Sequence, residues 1–314
     1  MREIGGYLEL ERFGGEEYHS DALAFNTATN ALLWLVAQRG IRRIWMPDYL
    51  CGSVTAALER VESCEIVRYP VREDLTAELP LEAIDSQDAV YLVNYYGQLS
   101  MESVRQLRGK LHSLILDNVQ AFFEKPLPGV DTVYSCRKWF GVPDGAYLYA
   151  DGLKSRGLPQ EYAADRFSHL LGRFEGEASD WYAAYQKNET ELEHSPIRLM
   201  SPLTHNLLRA VDYSEVAYRR SRNFSFLDGC LKEVNKLHLT VPNGAFMYPL
   251  FLQKGDPQEI RQKMAKKRIY LPTLWPGLSG RAERISNQIL PLPVDQRYDE
   301  RDLGRMISCL REMI

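Results

Sequence analysis

Two residues that end apolar runs could do chemistry together. Lys138 lies in the stretch YSCRKWFGVPDGAY (134–147), after the run DTVYSC, and Asp117 ends the earlier run LHSLILD. Lys138 is either a solvated surface cation or an amine that bonds covalently to a carbonyl carbon. Asp117 either caps the segment after it or meets a cation or several donors, since a buried lone carboxylate is costly. If both runs are neighbouring strands, the acid and the amine reach the same sheet edge.

The segment NTATNAL (26–32) stands just before a helical pattern and is a third candidate. Thr27 and Thr29 supply hydroxyls, the small Ala28 lets a ligand approach the backbone, and the first helical turn has free N–H groups. The segment therefore predicts either a phosphate-binding site or a simple Thr or Asn helix cap. The sequence contains no GxxxxGK[ST] and no GxGxxG, which argues against nucleotide hydrolysis and nicotinamide chemistry.

A fourth candidate is MPDYLCGS (46–53), which follows a short apolar run that ends at Pro47. Tyr49 or Cys51 could lie against a flat ring, and the alternative for Tyr49 is ordinary core packing.

Together the four candidates suit pyridoxal phosphate (PLP). This cofactor needs an anion site, a carboxylate for its pyridinium nitrogen, a surface against its ring, and a lysine that bonds to its aldehyde carbon. The lysine must also move protons, which requires a lowered pKa.

The composition argues against several other classes of protein. The chain has 314 residues, 45% hydrophobic and 25% charged, with a formal net charge of −4, so no overall basic field attracts nucleic acid. Five dispersed cysteines and six histidines show no metal-ligand spacing. The odd, dispersed set of cysteines indicates a reducing compartment. No stretch approaches a membrane span in length and hydropathy, so we expect a cytoplasmic protein without a membrane partner.

Short apolar runs alternate with helical patterns up to about residue 150, which predicts an α/β fold with a mainly parallel, doubly wound sheet. Residues 151–235 read as a helical connection. A second α/β pattern follows, with apolar runs LHLTVP (237–242), AFMYPLFLQ (245–253) and IYLPTLW (269–275). We predict an N-terminal segment (1–18), a large domain (19–235) and a smaller C-terminal α+β domain (236–314).

The chain resembles the DegT-type family of sugar aminotransferases, which are fold type I PLP enzymes. The similarity rests on the order of GGYLEL, NTATNALLWL, IWMPDYLCGSV, VYLVNYYG, LDNVQAFF, VYSCRKWFGVPDGAYL, IYLPTLW and ILPLPVDQRYDERDL. It implies a homodimer.

The resemblance also implies site residues. Lys138 would bond to the cofactor, Asp117 would pair with the pyridinium nitrogen, and Gln120 would lie near the ring hydroxyl. Ser135, Ala28 and Thr29 would hold the phosphate, and Tyr49 or Cys51 would lie on the ring. The lysine argues against relatives in which histidine replaces it.

The chain departs from the family pattern in four ways. Thr-Ala-Thr stands where Ser-Gly-Thr is usual. Ser135 is closer in sequence to Lys138 than the corresponding serine commonly is in the sugar enzymes, and the chain is shorter than typical members. In the family, the partner subunit contributes an asparagine to the site, usually from a Gly-Tyr-Asn-Tyr-Arg segment. This segment has no clear counterpart here, and residues 197–206 are the nearest region.

The expected activity is transfer of an amino group, with glutamate the expected donor, to a keto-sugar nucleotide or related keto sugar. The alternatives are a non-catalytic protein that binds a ligand or partner, and a PLP enzyme with another outcome, such as elimination or decarboxylation.

Overall fold

The computed structural model describes residues 4–252 and 255–314, so residues 1–3 of the predicted N-terminal segment and Gln253 of the run AFMYPLFLQ lie outside the described residues. A seven-stranded sheet forms its centre, with the strand order β1-β7-β6-β5-β4-β2-β3. The pairs β2–β3, β2–β4, β4–β5 and β5–β6 are parallel, whereas β7 runs antiparallel to β1 and β6. This architecture confirms the predicted α/β class and its mainly parallel sheet.

Apolar side chains occupy both faces of the central strands, which explains their continuous hydrophobic runs. All five residues of β4 and four of the five in β5 and β6 are buried. The seven strands are β1 (Leu23–Phe25), β2 (Arg43–Pro47), β3 (Glu65–Tyr69), β4 (Ala89–Val93), β5 (Ser113–Asp117), β6 (Asp131–Ser135) and β7 (Ala146–Tyr149).

Helices connect and cover these strands. Helix α1 begins after Thr27, whose Oγ1 accepts a hydrogen bond from the Asn30 amide at 3.0 Å, and ends at Gly40 in the left-handed conformation. The first three helices are α1 (Ala28–Arg39), α2 (Gly52–Glu59) and α3 (Met101–Arg108). Short 3₁₀ turns cover Leu81–Ala83, Tyr95–Gly97 and Ala164–Arg166.

The predicted helical connection contains four helices: α4 (Ser168–Glu175), α5 (Tyr182–Glu193), α6 (Pro202–Leu208) and α7 (Tyr213–Leu231). Helices α4 and α5 form a hairpin, hereafter the α4–α5 hairpin. A Cβ atom on Gly172 would lie 2.0 Å from the Trp181 ring, so only glycine allows the two helices to pack this closely.

The C-terminal region forms a second, two-stranded antiparallel sheet of β8 (Met247–Phe251) and β9 (Ile289–Pro293). Its helices are α8 (Pro257–Lys266), α9 (Gly280–Gln288) and α10 (Glu300–Arg311). A separate apolar core joins α7, β8, β9 and α10 through residues such as Phe224, Leu250, Leu292 and Leu310.

Of the three apolar runs that the sequence shows in this region, the run 245–253 contains a strand, β8. The runs 237–242 and 269–275 form no strand, and β9 instead pairs with β8. Pro242 packs near Gly97, and Trp275 has a positive φ of 60°, a conformation that does not occur in a strand. The domain boundaries at 18 and 235 remain a prediction.

No helix in the described part of the chain is long and apolar enough to cross a membrane.

Candidate active site

Several of the predicted residues lie at the edge of the sheet where the parallel strands end. Asp117 is the last residue of β5 and pairs in register with Val133 of β6, and β6 ends two residues later at Ser135. Ser135 pairs with Ala146 of β7, which pairs with Phe25 at the end of β1. The start of α1 is therefore at the same edge, which is where open parallel sheets bind ligands.

Asp117 is held in a fixed position inside the protein. Its side chain is 7% exposed, Tyr91 donates its hydroxyl to Oδ2 at 2.7 Å, and the Val119 amide donates to Oδ1 at 2.8 Å. Burial raises the pKa of Asp117, and the hydrogen bond from Tyr91, the charge of Lys138 and the Val119 amide partly oppose that rise. The carboxylate thus has one donor on each oxygen and still lacks a full positive partner.

Lys138 lies in a tight turn after β6, where the amides of Trp139 and Phe140 both donate to the Cys136 carbonyl at 3.0 Å. The turn presents the amine to a cavity, and its Nζ atom is 5.6 Å from the centroid of the Phe246 ring. The residue as a whole is exposed.

Burial of the Lys138 amine lowers its pKa, the charges of Asp117 and Cys51 raise it, and that of Arg137 lowers it. The amine reaches solvent through the cavity. Water therefore screens the neighbouring charges and reduces their effect on the pKa of Lys138. The lysine and Asp117 influence each other's pKa without a direct ion pair in the described part of the chain.

Gln120 is buried, and its Oε1 accepts a hydrogen bond from the Tyr96 amide at 2.8 Å. Among the described residues its amide nitrogen has no partner. That nitrogen is therefore able to donate to a ligand.

The structure separates Tyr49 from Cys51. Tyr49 is fully buried, and its ring packs edge-on against Trp275 with centroids 4.7 Å apart. Cys51 precedes α2, is half-buried, and lies near enough for its charge to act on Lys138. Cys51 is thus the one of the two that stands beside the amine.

Three cavities converge near Lys138. One of about 300 Å³ is lined by Thr27, Thr29, Ser53 and Arg137, among others. Another of about 410 Å³ joins Ser135, Arg137 and Lys138 to the α4–α5 hairpin. A third of about 840 Å³ lies between that hairpin and the C-terminal region, and it is lined by Lys138, Arg173, Phe246 and Gln296, among others.

Asp117, Gln120, Ala28 and Cys51 line none of these three cavities. A further cavity of about 1040 Å³ is lined in part by residues 9–24, and it includes none of the predicted residues. The described residues contain no group of three His, Cys, Asp or Glu side chains that could hold a metal ion.

The sequence interpretation missed several residues around the site. Tyr91 on β4 was one, although its position in a buried strand next to that of Asp117 was a usable signal. Arg137, Arg173 and the α4–α5 hairpin were others, and their placement depends on tertiary packing.

Comparison with solved structures identifies the fold. The sugar aminotransferase CalS13 from Micromonospora echinospora matches with a TM-score of 0.67 and 15% identity, over 93% of this chain and 87% of that chain. A DegT DnrJ EryC1 StrS aminotransferase from Brucella abortus matches with a TM-score of 0.63 and 15% identity, over 93% and 85%. The PLP form of Spr1654 from Streptococcus pneumoniae matches with a TM-score of 0.65 and 13% identity, over 93% and 86%.

The chain has the fold of the DegT-type aminotransferases. The fold type I prediction is confirmed, and with it the resemblance at the level of the fold. No family model and no curated protein matches the sequence.

Proposed function

We propose that this protein is a PLP-dependent aminotransferase that acts on a keto sugar. One observation carries the proposal. The lysine amine and the buried carboxylate follow adjacent strands of this fold, at one sheet edge, and each shifts the pKa of the other.

The donor set fits PLP. Asp117 offers a carboxylate without a full counter-charge to the pyridinium N–H, and Gln120 offers a free amide to the ring hydroxyl. The hydroxyls of Ser135 and Thr29, which line two of the converging cavities, suit a phosphate near the start of α1.

When bound, PLP would supply an electron-withdrawing ring and an aldehyde carbon that can carry an amino group from one substrate to the other. Asp117 keeps a proton on the ring nitrogen through its negative charge, and Tyr91 and Val119 fix its orientation. Lys138 would carry protons at Nζ, and its lowered pKa increases the fraction of neutral amine that can accept them.

The substrate class rests on the resemblance and on the sugar aminotransferases of the same fold. Amino donors carry carboxylates and sugar nucleotides carry phosphates, and both suit a cavity with the exposed Arg173 at its wall. The proposal includes glutamate as donor, a keto-sugar nucleotide as acceptor, a homodimer, and a cytoplasmic location.

The test is a half-reaction. Protein loaded with PLP is mixed with glutamate and a panel of other amino acids, and loss of the visible absorbance band is followed while the keto acid is quantified. The proposal expects one keto acid per site from at least one donor. A loaded protein that converts no donor would instead support the non-catalytic alternative. Release of carbon dioxide would indicate decarboxylation, and continued release of ammonia together with keto acid, beyond one equivalent per site, would indicate elimination.

A further inference from the structure

Arg137 occupies the centre of the proposed cofactor site, between Ser135 and Lys138 in the chain. It lines all three cavities that converge there. In the smallest it faces the same space as Thr29 at the start of α1 and Ser53 at the start of α2. A cation is thus placed where two helix N-termini and two hydroxyls already favour an anion.

Among the residues that the structure describes, the guanidinium has one ionic partner. Its Nη2 pairs with Glu189 of α5, and the two side chains are 21% and 39% exposed. Within the described residues its other nitrogens form no hydrogen bond. Arg137 therefore keeps free donors toward the cavities while a carboxylate occupies one of its nitrogens.

Other basic side chains lie near Arg137. His169 lies close enough that the Arg137 charge contributes to lowering its pKa, and the Arg166 charge acts on Arg137 in turn. Asn188 Nδ2 donates to the Pro143 carbonyl at 3.2 Å, so α5 is docked against the turn that follows Lys138. Glu189 thus reaches Arg137 from a helix that is anchored one residue earlier.

We infer that Arg137 binds the phosphate of the cofactor, and that Glu189 occupies the guanidinium when no phosphate is there. This inference rests on the proposed function. A phosphate carries more charge than a carboxylate and offers three acceptor oxygens, so it competes well for an arginine that a single carboxylate holds at a half-exposed site. The arginine supplies a cation to a site in which Ala28 stands where glycine is usual and the partner-subunit segment has no clear counterpart.

The inference is tested with two ligands that differ only in the phosphate, PLP and pyridoxal. Wild-type protein, Arg137→Gln, Glu189→Gln and Arg137→Lys are titrated with each, and dissociation constants are read from visible absorbance. As a matched control, Arg105→Gln removes an arginine that pairs with Glu102 at 3.5 Å on α3, outside all three cavities.

We expect Arg137→Gln to weaken PLP binding by about ten- to hundredfold, the range for a charge-assisted hydrogen bond, with pyridoxal binding unchanged. Glu189→Gln should strengthen PLP binding by about three- to fivefold because the competing carboxylate is gone. Arg137→Lys should restore part of the affinity, and Arg105→Gln should match wild type. Melting curves of the free proteins verify folding.

Three results would overturn the inference. The first is an unchanged ratio of PLP to pyridoxal affinity in Arg137→Gln. If both affinities fall by the same factor, Arg137 has a structural role. The second is weaker PLP binding by Glu189→Gln than by wild type. This result would count against the inference even if Arg137→Gln does not fold. The third is a loss confined to the reaction with amino donors, which would place the donor carboxylate on Arg137. Wild-type protein that binds neither ligand would instead reject the proposed function itself.

Discussion

Tyr91 on β4 donates its hydroxyl to Asp117 Oδ2 at 2.7 Å, across the parallel pair β4–β5. Asp117 is buried, and this hydroxyl is its one side-chain donor among the described residues. The bond therefore fixes the carboxylate that the proposed cofactor needs, and it links the sheet core to the site.

Replacing Tyr91 with Phe should weaken both the fold and the site. Removal of a donor from a buried carboxylate costs about 1–3 kcal/mol, so we expect a loss of that size in the free energy of unfolding, measured with urea. PLP affinity should also fall, because the carboxylate loses its orientation. Tyr69→Phe is the matched control: Tyr69 donates to the Tyr91 carbonyl at 2.7 Å, so its loss should lower stability and leave PLP affinity unchanged. Equal PLP affinities for Tyr91→Phe and wild type would contradict this role.

Asp117→Asn should separate stability from cofactor binding. The pKa of Asp117 is raised in the folded protein, so its stabilising contribution is complete below the unfolded-state pKa and is lost as pH rises through the folded-state pKa. Above the unfolded-state pKa the buried carboxyl therefore destabilises the cofactor-free protein. Asn removes that effect, since the Tyr91 hydroxyl can turn to accept a hydrogen bond from the new amide.

Cofactor-free Asp117→Asn should thus melt at the same temperature as wild type or above it, with the difference growing as pH rises. The rise in melting temperature on adding PLP should be smaller in the variant. A variant that melts lower than wild type and gains as much from PLP would refute both expectations.

A pair of threonine variants distinguishes the cap from the phosphate site at α1. Thr27 Oγ1 caps the helix, so Thr27→Ala should cost about 1 kcal/mol in unfolding free energy. Thr29 lines the cavity and is not the cap, so Thr29→Ala should leave stability within about 0.5 kcal/mol and weaken PLP binding. The idea fails if Thr29→Ala binds PLP as wild type does.

The pH dependence of cofactor attachment reports on the Lys138 amine. Its pKa lies below the ordinary lysine value of 10.5, so the neutral, reactive amine should become abundant at a lower pH than in free lysine. The attachment rate of PLP should rise with pH to a midpoint below that value. Since Asp117 raises the pKa of Lys138, Asp117→Asn should shift the midpoint further down. An upward shift would contradict the electrostatic link.

The sequence was sufficient to predict the mainly parallel sheet, because it depends on short buried runs, and the same runs indicated that Asp117 and Lys138 follow neighbouring strands. It was not sufficient for β1, which has three residues, or for β9, whose run ILPLP contains two prolines. These strands form because a neighbour pairs with them, and a local pattern does not show that.

The same limit applies to the site. Tyr49 and Cys51 are two residues apart and could not be told apart by type, whereas packing buries Tyr49 against Trp275 and leaves Cys51 near the lysine. Arg137 pairs with Glu189 across 52 residues of sequence, so only the docking of α5 brings them together.

The most direct test of the account is the identity of the residue that bonds to PLP. Protein incubated with PLP is reduced with borohydride, digested and mapped by mass spectrometry, in wild type, Lys138→Ala and the control Lys125→Ala, whose amine lies 4.0 Å from the Tyr18 ring. The account predicts a reduced cofactor on the peptide that contains Lys138, in wild type and Lys125→Ala, and none in Lys138→Ala. A label on another lysine, or no label in wild type, would contradict it.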